Sequence, residues 1–337
     1  MLVPDKYRTR FLQGGSLSIL VTFATCLGGL SLADAEEPSQ EVSSTSSGSA
    51  ITLASATAPA NATPTGPVVL AYKFQSGQFV HYSGTNRVQY TTQLGDQYDL
   101  PREQRKFSNV QTNETGTHFR VVTVDEQGNA LIEPVVDRAR MTAKMHGKEP
   151  VEFDSASPAT PQPQFQAIRD AIGRPIARFQ VSPTGTLVKA IIVDVTAPQS
   201  LRDAAERLDT RFPFLSLLPS MPVAVGDKWR EDYSTIAVVN GLKQPIPMRR
   251  IYQLAALADG IATIQFKTLV LTPVNDPEFE KQIVQQTPTG TIEFDIERGL
   301  VRSHRSSIHR TVMNAFGAQS LLQVIGDSTE TLVTAGE

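Results

Sequence analysis

The chain has 337 residues, with 31 Lys and Arg against 34 Asp and Glu, 22 glycines, 22 prolines and one cysteine. A net charge of −3 gives no global drive toward nucleic acid or anionic membranes. One cysteine allows neither an intrachain disulfide nor a thiolate metal cluster.

Residues 1–35 read as a secretory signal peptide. Lys6, Arg8 and Arg10 form the basic start, and Leu17, Ile19, Leu20, Val21, Phe23, Leu27 and Leu30 an apolar run. At about 14 residues it is short of the roughly 20 needed to span a bilayer. Ala33-Asp34-Ala35 is an A-x-A cleavage site before Glu36. An uncleaved anchor fits less well, and so does lipidation at Cys26, because Phe23-Ala24-Thr25 is a poor lipobox. Cleavage removes the only thiol and leaves 28 basic against 32 acidic residues, a net charge of −4. The expectation is an exported protein of the bacterial periplasm, cell envelope or exterior. It would have no membrane span after cleavage and no nucleic-acid partner. Residues 36–67, rich in Ser, Thr, Ala and Pro, bury too little apolar surface to order and read as a disordered tether.

From Val68 strand signals dominate. Val68–Phe74 is a first run. Four turns then join strand pairs: Asp125–Gly128, Ser182–Gly185, Asp259-Gly260 and Glu297–Gly299. Such short connections demand antiparallel pairing. Phe165, Ile168 and Ile172 recur at helical spacing before Gly173 and Pro175. Ser200 and Asp203 form a variant capping box ahead of Leu201, Ala204, Ala205 and Leu208. The fold class expected is α+β and β-rich: a large antiparallel, curved, half-barrel-like sheet with two short amphipathic helices.

Landmarks recur in order, which predicts an internal duplication into a first half, 68–197, and a helix plus second half, 198–337. Gly77-Gln78-Phe79 matches Gly226-Asp227-Lys228-Trp229, the Gly128 turn matches the Gly260 turn, and Phe179-Gln180-Val181 matches Phe294-Asp295-Ile296. Gly77, Gly128 and Phe179 are 51 residues apart, and Gly226, Gly260 and Phe294 are 34 apart. With Gly226–Trp229, Val181–Leu187, the leader and the tether, the chain resembles uncharacterised exported bacterial proteins of unknown function. Its architecture is similar to the open half-barrels of lipid and lipoprotein carriers of the LolA and LppX type, a likeness that brings no functional residue with it.

Motif chemistry is sparse. No G-x-S-x-G elbow, Walker A loop, dinucleotide fingerprint or H-E-x-x-H occurs. His304 and His309 are five apart, on opposite faces of a strand, so no metal site is expected there, nor any cofactor. Arg302, His304, Arg305, His309 and Arg310 form a basic run, read either as an anion contact or as a charge-protected edge strand. Asp227, Glu231, Asp232, Asp295 and Glu297 are carboxylates that turns and ion pairs explain as well as acid–base chemistry does. Phe212, Phe214, Leu217 and Leu218, with the lone Trp229, are candidates to line an apolar groove, or else core. The functional expectation is a non-catalytic envelope protein binding a lipid or lipoprotein chain. Its alternatives are a structural or adhesive module for an envelope partner and a hydrolase without a visible motif.

Overall fold

A computed structural model describes residues 66–205, 212, 214–239 and 242–333. The expected leader and nearly all of the expected tether lie outside them, as does Leu208 of the second predicted helix. The first half supplies β1 (Phe79–Gln93), β2 (Lys106–Val124), β3 (Ala130–Lys144), β4 (Val151–Asp154), β5 (Ala177–Val181) and β6 (Leu187–Ile192). The second supplies β7 (Lys228–Val239), β8 (Leu242–Ala258), β9 (Ile261–Val270), β10 (Thr289–Asp295), β11 (Leu300–Met313) and β12 (Leu321–Val333). All join one antiparallel sheet in the order β6-β5-β3-β2-β1-β12-β11-β10-β9-β8-β7, with β4 beside β3.

The sheet cannot be flat. Nine strand spacings separate β5 from β7, or about 43 Å at ~4.8 Å each. Yet Phe212 packs edge-on against Phe179 of β5, and the Leu217 carbonyl accepts the indole N–H of Trp229 on β7 at 2.8 Å. Five residue steps reach at most ~18 Å. Leu218 N–H meanwhile donates to Thr184 O, in the β5–β6 turn, at 2.9 Å. Adjacent residues thus bond to opposite ends of the sheet, which must curl into an open barrel bridged at one rim.

Two extended segments fill that end of the barrel. Leu70, Tyr72 and Phe74 are buried while Val69 is 63% exposed, the alternation expected of a strand. The segment 68–74 nevertheless forms no strand; it is held by an isolated bridge from Val68 to Val223 and by the Tyr72 and Lys73 N–H groups, which donate to Pro183 O and Gly299 O in two hairpin turns. Periodicity reports that one side of an extended chain is buried, not what buries it. Here Tyr72 meets Phe294 and Phe74 meets Phe119, on strands from the two halves. The second segment, the Phe212–Leu218 strap, lies across β1 and β2 through Phe214.

The duplication appears in the ladders. Gly77 N–H donates to Val121 O and Val121 N–H to Gln78 O; Gly226, Leu254 and Asp227 repeat both bonds. Bulges follow Val121 in β2 and Leu254 in β8, and again between Gln180 and Val181 and between Glu293 and Phe294. Ladder partners correct the last landmark. Phe179 faces Ile132 as Ile292 faces Ile264, so Phe179 corresponds to Ile292 and Val181 to Phe294. The equal 51- and 34-residue intervals are therefore accidental. The halves also differ by β12, which fills the place between β1 and β11.

Helix α1 (Gln166–Ala171), preceded by a 3-10 turn over Pro163–Phe165, and α2 (Gln199–Ala205) fall where sequence places them. The Ser200 side chain lies outside the described residues. A third helix, α3 (Pro277–Ile283), was not anticipated, although its signal is local. Asp276 caps it by accepting Glu278 N–H at 2.8 Å, Pro277 opens it, and Glu278 and Glu280 lie in its first turn. Ile283 and Val284 cover the other end of the concave face, packing into two small apolar clusters.

Gly185 shows how closely the strap approaches. Its φ is +83°, and a Cβ there would lie 2.5 Å from Ser216 O and 2.8 Å from the Tyr72 ring. Gly77, at φ +81°, has nothing within 4 Å of that position. Both alanine variants pay the left-handed penalty of roughly 1–2 kcal/mol. G185A is expected to lose clearly more stability in urea titrations than G77A; equal losses would show that the strap does not need that space.

Candidate functional site

The residues expected to line a groove converge, but they fill the barrel instead of lining a channel. Phe212, Phe214 and Leu218 are 4%, 3% and 2% exposed, and Leu217 and Trp229 pack against the same cluster. Phe214 contacts the rings of Tyr82, Phe119 and Phe212 within 5.4 Å. Trp229 stacks on Tyr252 with centroids 5.5 Å apart. Tyr72 anchors the strap twice, donating to Ser216 O at 3.1 Å and accepting from Ser216 N–H at 2.7 Å.

Beside the strap is a crevice of about 20 Å³, bounded by Phe212, Phe214, Val136, Thr117, Arg174 and Glu330 among others. That volume suits about one water molecule. A wider hollow of about 230 Å³ opens at the rim between Phe79, His81, Arg298, Leu300 and Val333.

Below the strap the concave face turns polar. Cross-strand partners place Thr115, Gly84, Glu330 and His304 in one row over β2, β1, β12 and β11, and Asn113, Asn86, Ser328 and Ser306 in the next. Glu330 and Asn113 are buried, and both amide atoms of Asn113, Asn86 Oδ1 and Glu330 Oε2 have no hydrogen-bond partner. Burial pushes the Glu330 carboxyl up to about 8, so it is neutral at pH 7. Desolvation, with nearby Arg250 adding to it, pulls the His304 imidazole down to about 4. His304 stacks on Phe266, whose ring also carries the Arg250 guanidinium at 5.1 Å. Arg250 donates to Thr268 Oγ1, while Tyr252 donates to Glu231.

The basic run is therefore not one surface. His304 is uncharged and faces the barrel interior, so it drops out of any anion contact. Arg302 is the extra residue of the bulge opposite Phe294 and Glu293 and is exposed. Arg305, His309 and Arg310 are exposed as well, with His309 in contact with Gln323. Nor is this an edge: β11 is paired on both sides, by β10 and β12. The carboxylates have structural partners. Asp232 takes two bonds from Arg249, which hold it below the usual carboxylate range, and Asp227 and Asp295 accept backbone N–H groups in turns.

One cluster escaped the sequence reading, which expected no metal ligands. His81 and His118 are direct partners on β1 and β2. In β3, Val136 pairs with Thr117 and Arg138 with Gly116, leaving Asp137 as the bulge residue between them. The Asp137 carboxylate lies 2.7 Å from His118 Nδ1, and one ligand atom from each of the three residues falls within 4.8 Å of the others. The residues are 37 and 19 positions apart, and only strand register joins them.

No family model and no curated protein matches the chain. Among solved structures, it is similar to the hypothetical lipoprotein YmcC from Escherichia coli (K12), at 9% identity and TM-score 0.25, covering 75% of this chain and 85% of that one. It is also similar to DynF from the dynemicin biosynthesis pathway of Micromonospora chersina, at 6% identity and TM-score 0.20, covering 80% and 87%. Neither likeness carries an argument about fold or chemistry.

Proposed function

We propose that the mature protein is an exported, non-catalytic envelope protein that works as a binding module through its outer surface. The observation that carries this reading is the filled interior. Ligand pockets commonly offer ~300–1,000 Å³, whereas the crevice beside the strap offers about 20 Å³. The rim hollow, at about 230 Å³, is larger but open. Export rests on the leader, and the envelope on the tether and the cysteine-free mature chain. Native mass spectrometry after mild extraction is the test. The mass of the bare polypeptide is expected, with no saturable binding of a fluorescent fatty acid. A co-purifying amphiphile in stoichiometric amount would overturn the reading.

The carrier alternative has one observation in its favour. The unpaired Asn86, Asn113 and Glu330 atoms sit on the concave face next to the apolar strap, a polar collar beside an apolar filling. If an amphiphile is found, those residues and Phe214 are where it is to be mapped.

A further inference from the structure

We infer that His81, His118 and Asp137 form a binding site for one divalent transition-metal cation of the zinc type. This goes beyond the binding-module reading and stands whether or not that reading holds.

Two imidazoles and a carboxylate suit Zn²⁺ and its neighbours in the first transition row and do not suit Mg²⁺ or Ca²⁺, which take oxygen ligands. The three side chains come from three adjacent strands, so the backbone holds their spacing. Each has a distinct structural reason to be there. His81 and His118 are a direct cross-strand pair, with ring centroids 5.3 Å apart. Asp137 is delivered by the bulge: Val136 and Ala139 are both buried, and Asp137 and Arg138 between them are both exposed. Without the extra residue, alternation would give Asp137 and its neighbours a different facing relative to His118.

The metal-free geometry is close to what a cation needs. Ligand atoms of a tetrahedral site with bonds of ~2.0–2.1 Å lie roughly 3.4 Å apart. Here they lie within 4.8 Å of one another. His81 and Asp137, both exposed, are the side chains with room to rotate toward a shared cation. His118, whose side chain is 19% exposed, is the more fixed member and is already oriented by Asp137 and by the Phe79 ring at 5.8 Å. Three protein ligands at an exposed position leave the fourth coordination place to water or to an outside donor. His81 also borders the rim hollow, so that place is reachable from outside.

The test uses the chain recovered after export, without a polyhistidine tag, titrated with Zn²⁺ by calorimetry and with Co²⁺ by visible absorption. One saturable equivalent is expected, with the d–d bands of a low-coordinate Co²⁺ site. H81A and H118A should each weaken binding by at least tenfold, and D137N by at least fivefold, while H309A binds as the parent does. All four positions are partly or fully exposed, and circular dichroism checks that each variant is folded. Absence of saturable binding overturns the assignment. So does parent-like binding by H81A, H118A or D137N, and so does a comparable loss in H309A.

Discussion

Phe214→Ala is expected to lower the stability of the protein by ~3–5 kcal/mol, the usual cost of deleting a buried aromatic ring. Phe214 is 3% exposed and is the middle of an aromatic chain from Phe179 through Phe212 to Phe119 and Tyr82. Because the strap ties the β5–β6 turn to β7, the effect should not stay local. Hydrogen exchange is expected to rise in Phe179–Val181 and around Trp229 together, although these lie at opposite ends of the sheet. A loss below about 1 kcal/mol, or exchange confined to the strap, would mean that the barrel holds its curl without it. Trp229→Phe removes the hydrogen bond to Leu217 and part of the ring stacked on Tyr252, and should cost about 1–3 kcal/mol, less than the Phe214 loss.

The second large effect is in pH dependence. Glu330 is raised to about 8 in the folded chain, above its ordinary 4.5, so the folded state holds a proton that the unfolded state releases between those values. Stability from this group is full below about 4.5 and declines as pH rises toward 8. His304 runs the other way. Lowered to about 4 from 6.5, it contributes stability that is complete above 6.5 and is lost as pH falls toward 4. From about 4.5 to 6.5 the two slopes cancel, leaving a plateau from these groups, followed by a decline from 6.5 to 8.

Glu330→Gln keeps the shape and removes the titration. The variant is expected to lose the decline above pH 6.5 and to gain on the parent with rising pH, by roughly 4 kcal/mol at pH 8 to 9 if the whole shift is expressed. Urea midpoints at pH 5, 7 and 9 measure it. A parent whose midpoint does not fall relative to the variant between pH 7 and 9 would show that Glu330 ionises normally, through water reaching its unpaired Oε2.

The hairpins were legible because their information is local. Asp259 and Gly260, at φ 52° and 75°, adopt the positive-φ pair that a two-residue hairpin turn requires, and few dipeptides tolerate it. The helix ending at Ala171 was equally readable from Ile168 and Gly173. Beyond the strand start at Phe79, β1 and β12 were missed for a physical reason. Their buried face carries Gly84, Asn86, Ser328 and Glu330, so the alternation that marks a half-buried strand is absent through the polar collar.

By itself, the sequence determined the antiparallel pairing, most turns and the repeat of two meanders, because each depends on residues a few positions apart. Only the tertiary structure decided the rest. It made the Phe212–Leu218 strap a filling and not a groove wall, turned His304 inward as a neutral ring, and put β11 in the middle of the sheet. It also brought His81, His118 and Asp137 together. Each of these depends on which strand lies beside which, and that is settled by the burial of the whole barrel. The turns say that the strands pair antiparallel; the register of β1, β2 and β3 says which side chains meet on the outer face.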